Sequence, residues 1–213
     1  MKKKLFSAIL CLAICQIIKA QSSFIPSVGV NFSKVLLNQN PANVSSSAPS
    51  SGVYFGGSLI YACRAPFDFQ LGVQYSQKGQ RAFIPSDPSF SHKERIHYLD
   101  FMPSIEYKVG KTKHLGFSGG LNLGINCLEQ FKFPNNPWES LVFQTMKRLD
   151  LGFLVGTKIY FKKIVVGFSY NQSILNASSI IFTDEFGTPL SSSSVYNQNF
   201  QVGLGYIINY KNN

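Results

Sequence analysis

Large apolar side chains alternate with small or polar ones along most of the chain. In the stretch FDFQLGVQYSQKG, from Phe67 to Gly79, the odd-numbered positions up to Tyr75 are apolar and the even-numbered positions are polar or glycine. A period of two is that of an extended strand with one apolar face. The same alternation predicts seven further strands, within residues 28–32, 53–61, 99–107, 115–125, 149–161, 164–170 and 200–210. The chain is therefore predicted to be all-β, with eight strands.

The connections between these strands alternate between short and long. Short links lie near residues 64–66, 110–113 and 162–163, and long polar links occupy about 35–51, 80–94, 128–146 and 175–195. Short turns at one end and long loops at the other are typical of outer membrane barrels, in which the short turns face the periplasm. An even number of strands also places both termini on the periplasmic side.

The volume of the apolar side chains favours a lipid-facing position for them. A soluble eight-stranded barrel, such as a lipocalin, would have to enclose about forty large residues. The interior of an eight-stranded barrel is only just wide enough for side chains to fill, so it has no space for so many. The opposite face, rich in Gly, Ser, Asn and Gln, fits the interior better. Aromatic residues are also concentrated at both ends of the strands, as in the aromatic girdles at the two membrane interfaces of outer membrane barrels. They are Tyr61, Phe67, Tyr107, Phe161 and Tyr210 at the turns, and Phe32, Phe55, Tyr75, Tyr170 and Phe200 towards the loops. We therefore predict an eight-stranded antiparallel up-and-down transmembrane β-barrel.

The first 20 residues have the features of a secretory signal peptide. Lys2, Lys3 and Lys4 precede a mainly apolar run, and Ala20 offers a small residue just before Gln21. The run is about 14 residues long, short of the ~20 that a spanning helix needs, which favours a cleaved signal over a membrane anchor. We predict a signal peptide over residues 1–20 and one exported barrel domain over residues 21–213.

Charge and cysteine content argue against two further classes of protein. The formal net charge is +10, but four of the lysines lie in residues 1–20, which leaves +6 for the mature chain. The other basic residues are scattered along the sequence, which disfavours nucleic-acid binding. Only Cys63 and Cys127 remain after cleavage, too few for a disulfide scaffold. They are expected at opposite ends of the barrel, too far apart to bond, and no metal or other cofactor is predicted.

Several stretches resemble one known family. VGVNFSK, FDFQLGVQYSQKG, HYLDFMPSIEYKVG and FQVGLGYIINY are similar to sequences of the PorT-type outer membrane β-barrel proteins of Bacteroidetes, over nearly the whole mature chain. The resemblance implies integral outer membrane localisation. Most members of the family have no assigned biochemical activity, although PorT itself is associated with type IX protein secretion. The family pattern places a proline two residues after the acidic residue, whereas Pro103 comes three after Asp100, so a β-bulge is expected there.

Six charged residues share the inward parity of the predicted strands. They are Asp68, Glu106, Lys108 and Lys158 towards the turns, with Asp100 and Asp150 nearer the loops. Eight strands leave little or no open lumen, so mixed charges in this interior indicate a salt-bridged plug rather than a conducting pore. We expect Lys158 to pair with Glu106 or Asp68.

Residues suited to catalysis are few. A surface lipid-modifying enzyme needs a nucleophile, a base and an orienting group held together at the outer rim. The three histidines are His92, His97 and His114. The first two lie in or beside the second long loop, near Ser91, Glu94 and Asp100, so the residue types of a Ser-His-acid set are present there. The third begins a strand at the periplasmic side. Such residues are expected in a solvated loop by composition alone, so no catalytic site is predicted.

The third long loop contains the single tryptophan. FKFPNNPWESLVF places Trp138 among Phe131, Phe133 and Phe143, and an apolar cluster in an exposed loop either packs on the rim or binds a protein partner. The sequence thus predicts a non-enzymatic barrel that contacts outer membrane lipid, binds no nucleic acid and presents loops as a structural or accessory subunit of an envelope assembly. The alternatives are a narrow pore or solute-uptake accessory and a surface lipid-modifying hydrolase.

Overall fold

All regular structure in the described part of the chain is β. The computed structural model of the protein describes residues 22–37, 46–63, 66–84, 87–110, 113–140, 147–175, 178–183 and 189–209. The strands are β1 (Ser22–Leu37), β2 (Ser46–Ala62), β3 (Phe67–Ile84), β4 (Asp87–Val109), β5 (Leu115–Lys132), β6 (Glu139–Ser140), β7 (Leu149–Phe161), β8 (Ile164–Ser173), β9 (Ser178–Thr183), β10 (Pro189–Tyr206) and β11 (Ile208–Asn209). No helix in these ranges is long and apolar enough to cross a membrane. The predicted signal peptide, 1–20, lies outside the described residues.

Eight of these strands close into an antiparallel barrel. Their order is β1-β2-β3-β4-β5-β7-β8-β10, and β10 pairs back onto β1, with Leu204 opposite Val28 and Phe200 opposite Phe32. The short strands β6, β9 and β11 extend the sheet beside β5, β10 and β1. Closure leaves no open sheet edge within the wall, so the backbone can satisfy its own hydrogen bonds in lipid. The predicted eight-stranded antiparallel barrel is confirmed.

The apolar face of the barrel is the outer one. Val28, Phe55 and Leu204 are 59%, 57% and 57% exposed, whereas Ser76 and Glu106 are completely buried. This arrangement is inverted relative to a soluble barrel, in which the apolar face fills the interior. The exposed apolar surface is therefore the surface that lipid covers.

Aromatic pairs mark both ends of this apolar band. The rings of Phe55 and Tyr75 are 4.9 Å apart between centroids on β2 and β3, and those of Phe67 and Tyr107 are 5.3 Å apart on β3 and β4. Eight positions separate Phe67 from Tyr75, which is about 27 Å of strand. At a tilt of about 40° this gives roughly 20 Å of height, close to the apolar band of outer membrane barrels.

Short turns close one end of the barrel, here called the turn end. Phe161 and Ile164 are paired, so Lys162 and Lys163 alone connect β7 to β8. Lys162 has a φ of 54°, the left-handed conformation that tight hairpin turns require. Both chain termini of the described barrel lie at this end, as an even strand number dictates.

At the other end, here called the loop end, the strands are longer than predicted. The expected loop 80–94 is instead a hairpin in which Ile84 pairs with Asp87. β1 continues to Leu37, β5 continues to Lys132, and β9 pairs with β10. The predicted extents of the long loops are therefore wrong. Beyond the membrane both sheet faces meet water, so apolar alternation fades while the backbone pairing continues.

The bulge lies at a different position from the one expected. The register between β4 and β5 is unchanged across Pro103, so the expected bulge there is wrong, and the ladder continues without the N–H that proline lacks. The register shifts instead between His97 and Tyr98, because β5 carries Cys127 as an extra residue. Side chains of β5 beyond Cys127 therefore change face relative to the regular alternation.

Candidate functional site

A buried ion pair lies at the centre of the polar side chains near the loop end, here called the loop-end cluster. Asp100 on β4 accepts hydrogen bonds from Lys78 Nζ at 3.0 Å, from Ser76 Oγ at 2.5 Å and from Gln74 Nε2 at 3.4 Å. The three donors occupy alternate positions of β3, so they share its inward face. Lys78 Nζ also lies 4.4 Å from the ring centroid of Tyr98. The charges of Lys78 and Asp100 are therefore compensated although both side chains are buried.

Asp150 extends the loop-end cluster across the barrel. Its Oδ1 accepts from Ser173 Oγ at 2.6 Å, and its Oδ2 accepts from Asn197 Nδ2 at 3.0 Å. Asn197 also donates to the hydroxyl of Tyr98 at 3.1 Å. Because β4 and β10 lie on opposite walls of the barrel, the Asn197–Tyr98 hydrogen bond crosses the interior.

A second group of polar side chains lies near the short turns, here called the turn-end cluster. Glu106 on β4 is completely buried. It accepts from the hydroxyl of Tyr160 at 2.5 Å and from Gln70, and Lys158 Nζ lies 3.5 Å from its Oε2. Lys158 also donates to the side-chain oxygen of Gln70. The pairing of Lys158 with Glu106 that the sequence predicts is thus present in the structure.

The structure places all six predicted charged residues inside the barrel but distributes them between the two clusters. Lys108 and Asp68 form a further ion pair of 2.6 Å at the turn end. Sequence reasoning missed Lys78, although it continues the even-numbered inward positions of β3 by one step. It also missed Tyr98 and Tyr160, although both have the even-numbered, inward parity of their strands β4 and β7.

A cavity of about 100 Å³ separates the two clusters. Its lining includes Tyr54, Met102 and Leu154 as well as polar groups from both clusters. The ring of Tyr54 packs against the backbone at Gly29 and Gly203, where a Cβ atom would overlap the ring. The cavity is well below the roughly 300–1,000 Å³ of small-molecule pockets, so it is too small for a typical small-molecule ligand.

A smaller cavity of about 10 Å³ lies beside Asp150. Asn122, Asn171 and Asn199 line it, and their side-chain oxygens have no hydrogen-bond partner among the described residues. The volume corresponds to about one water molecule, and one water there would donate to two of these three oxygens.

His97 lies at the loop-end rim, one outward position beyond Leu99, which pairs with Tyr75. Its Nδ1 is 2.5 Å from the hydroxyl of Tyr75, and its Nε2 is 3.1 Å from the side-chain oxygen of Gln130. These contacts join β3, β4 and β5 at the bulge. Neither a serine nor a carboxylate is among the contacts of His97 in the described part of the chain.

The three histidines are not brought together. His92 packs its ring against Phe133, with centroids 5.8 Å apart. His114 lies at the turn end, where its Nδ1 is 2.9 Å from the backbone oxygen of Tyr160. Among the described residues, no group of three or more His, Cys, Asp or Glu side chains is placed to hold a metal ion.

The aromatic residues predicted for partner binding are partly packed on the barrel. Trp138 lies under the guanidinium of Arg95, with its ring centroid 4.1 Å from Cζ. Phe131 and Phe133 meet edge to face at 5.5 Å, and Phe133 is 41% exposed. Phe143 lies outside the described residues.

Comparison with known proteins gives a family match and several similar folds. The model of the family described as outer membrane protein beta-barrel domain matches residues 19–179. The attachment invasion locus protein Ail of Yersinia pestis, solved with the heparin analogue sucrose octasulfate, is 15% identical with a TM-score of 0.51, and the match covers 88% of this chain and 99% of Ail. OprG from Pseudomonas aeruginosa is 14% identical with a TM-score of 0.47, covering 90% of this chain and 98% of OprG. Neisserial surface protein A is 11% identical with a TM-score of 0.48, covering 86% of this chain and 96% of that protein. No curated protein sequence matches the chain.

Proposed function

The chain belongs to the outer membrane protein beta-barrel domain family, and we propose that it is a non-conducting, non-enzymatic barrel that serves as a structural or accessory subunit of an envelope assembly. It is an integral outer membrane protein. Its strands continue past the apolar band at the loop end, so the barrel supports a rigid extracellular sheet. We further propose PorT-type membership, which the four similar stretches support, and cleavage of residues 1–20 on export.

The closed interior is the observation that supports a non-conducting role. The Tyr98–Asn197 hydrogen bond joins opposite walls at the loop end, and Glu106, in contact with Tyr160 and Lys158, occupies the interior near the turn end. An ion crossing the barrel would have to break both sets of contacts. Eight strands give no spare width to bypass them.

Conductance in planar lipid bilayers tests this proposal. The wild-type protein is expected to show no steady single-channel current. Tyr98→Ala removes the largest of the fully buried side chains in the described ranges together with the cross-barrel hydrogen bond, and it is expected to give measurable current. Tyr107→Ala is the matched control, because Tyr107 lies on the same strand but faces lipid. A steady current from the wild type would reject the plug and favour the narrow-pore alternative.

Affinity purification from the native outer membrane tests the accessory-subunit role. A stoichiometric partner is expected to copurify with the wild type and to be lost with Trp138→Ala, whose side chain lies on the loop-end surface. Phe67→Ala at the turn end serves as the control. A protein that purifies alone under mild extraction would contradict the role in an assembly.

The contacts of His97 do not support the hydrolase alternative. Its ring nitrogens are engaged by Tyr75 and Gln130, neither of which can act as the orienting acid of a catalytic set. We therefore expect His97→Ala to leave the mass spectrum of outer membrane glycolipids unchanged. A shift in those masses would revive the enzymatic alternative.

A further inference from the structure

Three cationic side chains lie side by side on the loop-end extension of the sheet. Arg81 on β3 is directly opposite Lys93 on β4, and Lys93 is directly opposite Lys132 on β5. All three line one groove of about 540 Å³, next to His92 and Phe133. Because neighbouring strands are about 4.8 Å apart, the three backbone positions fall within about 10 Å. We call Arg81, Lys93 and Lys132 the cationic row.

The bulge at Cys127 is the reason that Lys132 belongs to this row. With the register found below the bulge, Phe131 would stand opposite Lys93 and Lys132 would face the interior. The extra residue shifts the pairing by one, so Lys132 takes the outward position instead. The groove therefore depends on an irregularity of β5 that the wall of the barrel does not otherwise need.

The positive charges of the cationic row have no ion-pair partner among the described residues. Like charges directly opposite each other on neighbouring strands are destabilising. The ion pairs among the described residues involve Lys78, Lys108 and Lys158 instead. Glu94 is adjacent to Lys93 but belongs to the inward face, where it accepts from Gln80. An external anion with several charges would relieve this repulsion.

The side chains of the cationic row are on the outer face of the barrel, the same face that carries the lipid-facing residues. Arg81 is six positions beyond Tyr75 on β3 and shares its outward parity. That separation is about 20 Å along the strand, or about 15 Å of height at a tilt near 40°. Long basic side chains reach back towards the interface. They therefore lie level with the sugar head groups of outer-leaflet glycolipids, above the acyl chains.

We propose that the cationic row binds phosphate groups on the head groups of outer-leaflet glycolipids. The fork of Arg81 suits bidentate phosphate recognition, and the two lysines supply point charges beside it. Such binding fixes a shell of lipid around β3, β4 and β5 and offsets the repulsion within the row. The inference depends on the outer membrane location but not on the closed interior.

Energy transfer from Trp138 provides the test. This residue is the single tryptophan of the chain and contacts Arg95, one outward position below Lys93 on β4. The full-length mature protein is reconstituted into phosphatidylcholine vesicles with increasing amounts of dansyl-labelled, rough-type lipopolysaccharide. Transfer above the value for random mixing is expected, and it should fall when the glycolipid is dephosphorylated.

A pair of triple variants separates this site from general charge effects. Arg81→Gln combined with Lys93→Gln and Lys132→Gln is expected to weaken the apparent affinity at least about tenfold, since each basic residue near an anionic surface contributes appreciably to binding. Lys113→Gln combined with Lys162→Gln and Lys163→Gln removes the same charge at the turn end and is expected to change the affinity by less than about twofold. Both variants must retain the heat-modifiable gel mobility of a folded barrel.

Three results would overturn the proposal. They are unchanged transfer in the cationic-row variant, equal transfer to the dephosphorylated glycolipid, and equally strong binding of soluble inositol hexakisphosphate in the absence of glycolipid. The last result would assign the groove to a soluble phosphate. Bilayer conductance of the cationic-row variant shows whether the plug fails separately, since Arg81, Lys93 and Lys132 lie outside the two interior clusters.

Discussion

Replacing Lys78 by methionine tests whether the ion pair in the loop-end cluster is buried as the structure shows. Methionine keeps an unbranched side chain of similar length but removes the positive charge. The side chains of Lys78 and Asp100 are 3% and 1% exposed, so water cannot replace the lost cation without rearrangement. The charge of Asp100 would be left in the interior without a counter-charge.

The expected cost follows from the contacts that remain. Two unit charges 3.0 Å apart attract by about 5–6 kcal/mol at an effective dielectric constant of 20. Ser76 and Gln74 would still donate to Asp100 and would retain part of its stabilisation. Removal of one partner of a buried pair costs about 3–5 kcal/mol, and we expect a loss near the lower value. The double variant Lys78→Met/Asp100→Asn should recover to within about 1 kcal/mol of wild type, because no buried charge remains.

Equilibrium unfolding in urea, with the protein inserted in lipid vesicles, provides the measurement. Trp138 emission reports unfolding, and linear extrapolation gives the free energy of unfolding in water. Lys163→Met is the matched control. It removes an exposed lysine at the turn end, and we expect an effect within about 0.5 kcal/mol.

Two outcomes would refute the reasoning. A cost below about 1 kcal/mol for Lys78→Met would mean that Asp100 is solvated rather than paired with Lys78. A double variant whose loss equals the sum of the two single losses would show that the side chains do not interact.

Three further predictions concern other parts of the barrel. Gly203→Val should destabilise the barrel by about 1–3 kcal/mol through overpacking, because the new Cβ would overlap the ring of Tyr54; Tyr54→Ala in the same chain should recover part of this loss in urea unfolding. Tyr160→Phe should cost about 1–3 kcal/mol in the same assay, because the buried carboxylate of the turn-end cluster loses a hydrogen-bond donor, and an unchanged midpoint would contradict that bond. Cys63 and Cys127 are both free and exposed, so the mature chain should titrate two thiols and migrate identically with and without reductant.

The transmembrane part of the fold could be predicted because one physical contrast governs it. Lipid on one side and a packed polar interior on the other impose a strict period of two, and β3 shows that period from Phe67 to Ser76. The same alternation located the inward charges, including Glu106 and Asp100. The odd or even position of a residue in its strand is sufficient to assign it to the inward or outward face, because this assignment needs no knowledge of which strands are neighbours.

The extracellular part of the strands could not be predicted in the same way. Past Tyr75 and Leu99 both faces of the sheet meet polar surroundings, so residues 80–94 show no alternation strong enough to distinguish strand from loop. Backbone hydrogen bonds with the neighbouring strand maintain β3 and β4 there. Such pairing depends on where the partner strand lies and leaves little trace in either sequence segment.

Interior partners were harder to predict than interior positions for a related reason. Parity places Tyr98 and Asn197 inside, but it cannot show that the two strands stand on opposite walls and that the side chains meet. That contact depends on strand order, closure and stagger together. The bulge illustrates the same limit, because a proline signal favoured Pro103 whereas the extra residue is Cys127.

The cationic row shows why the functional surface of such a barrel is obscure in the linear sequence. Arg81, Lys93 and Lys132 are 12 and 39 residues apart in succession, and in the sequence they form part of a scattered basic background. Antiparallel pairing of β3 with β4, and the bulged pairing of β4 with β5, bring them into one line. On a closed barrel, therefore, the distribution of charge has to be judged along the cross-strand register rather than along the chain. By that criterion this protein has a concentrated basic surface at the height of the lipid head groups, despite its moderate net charge.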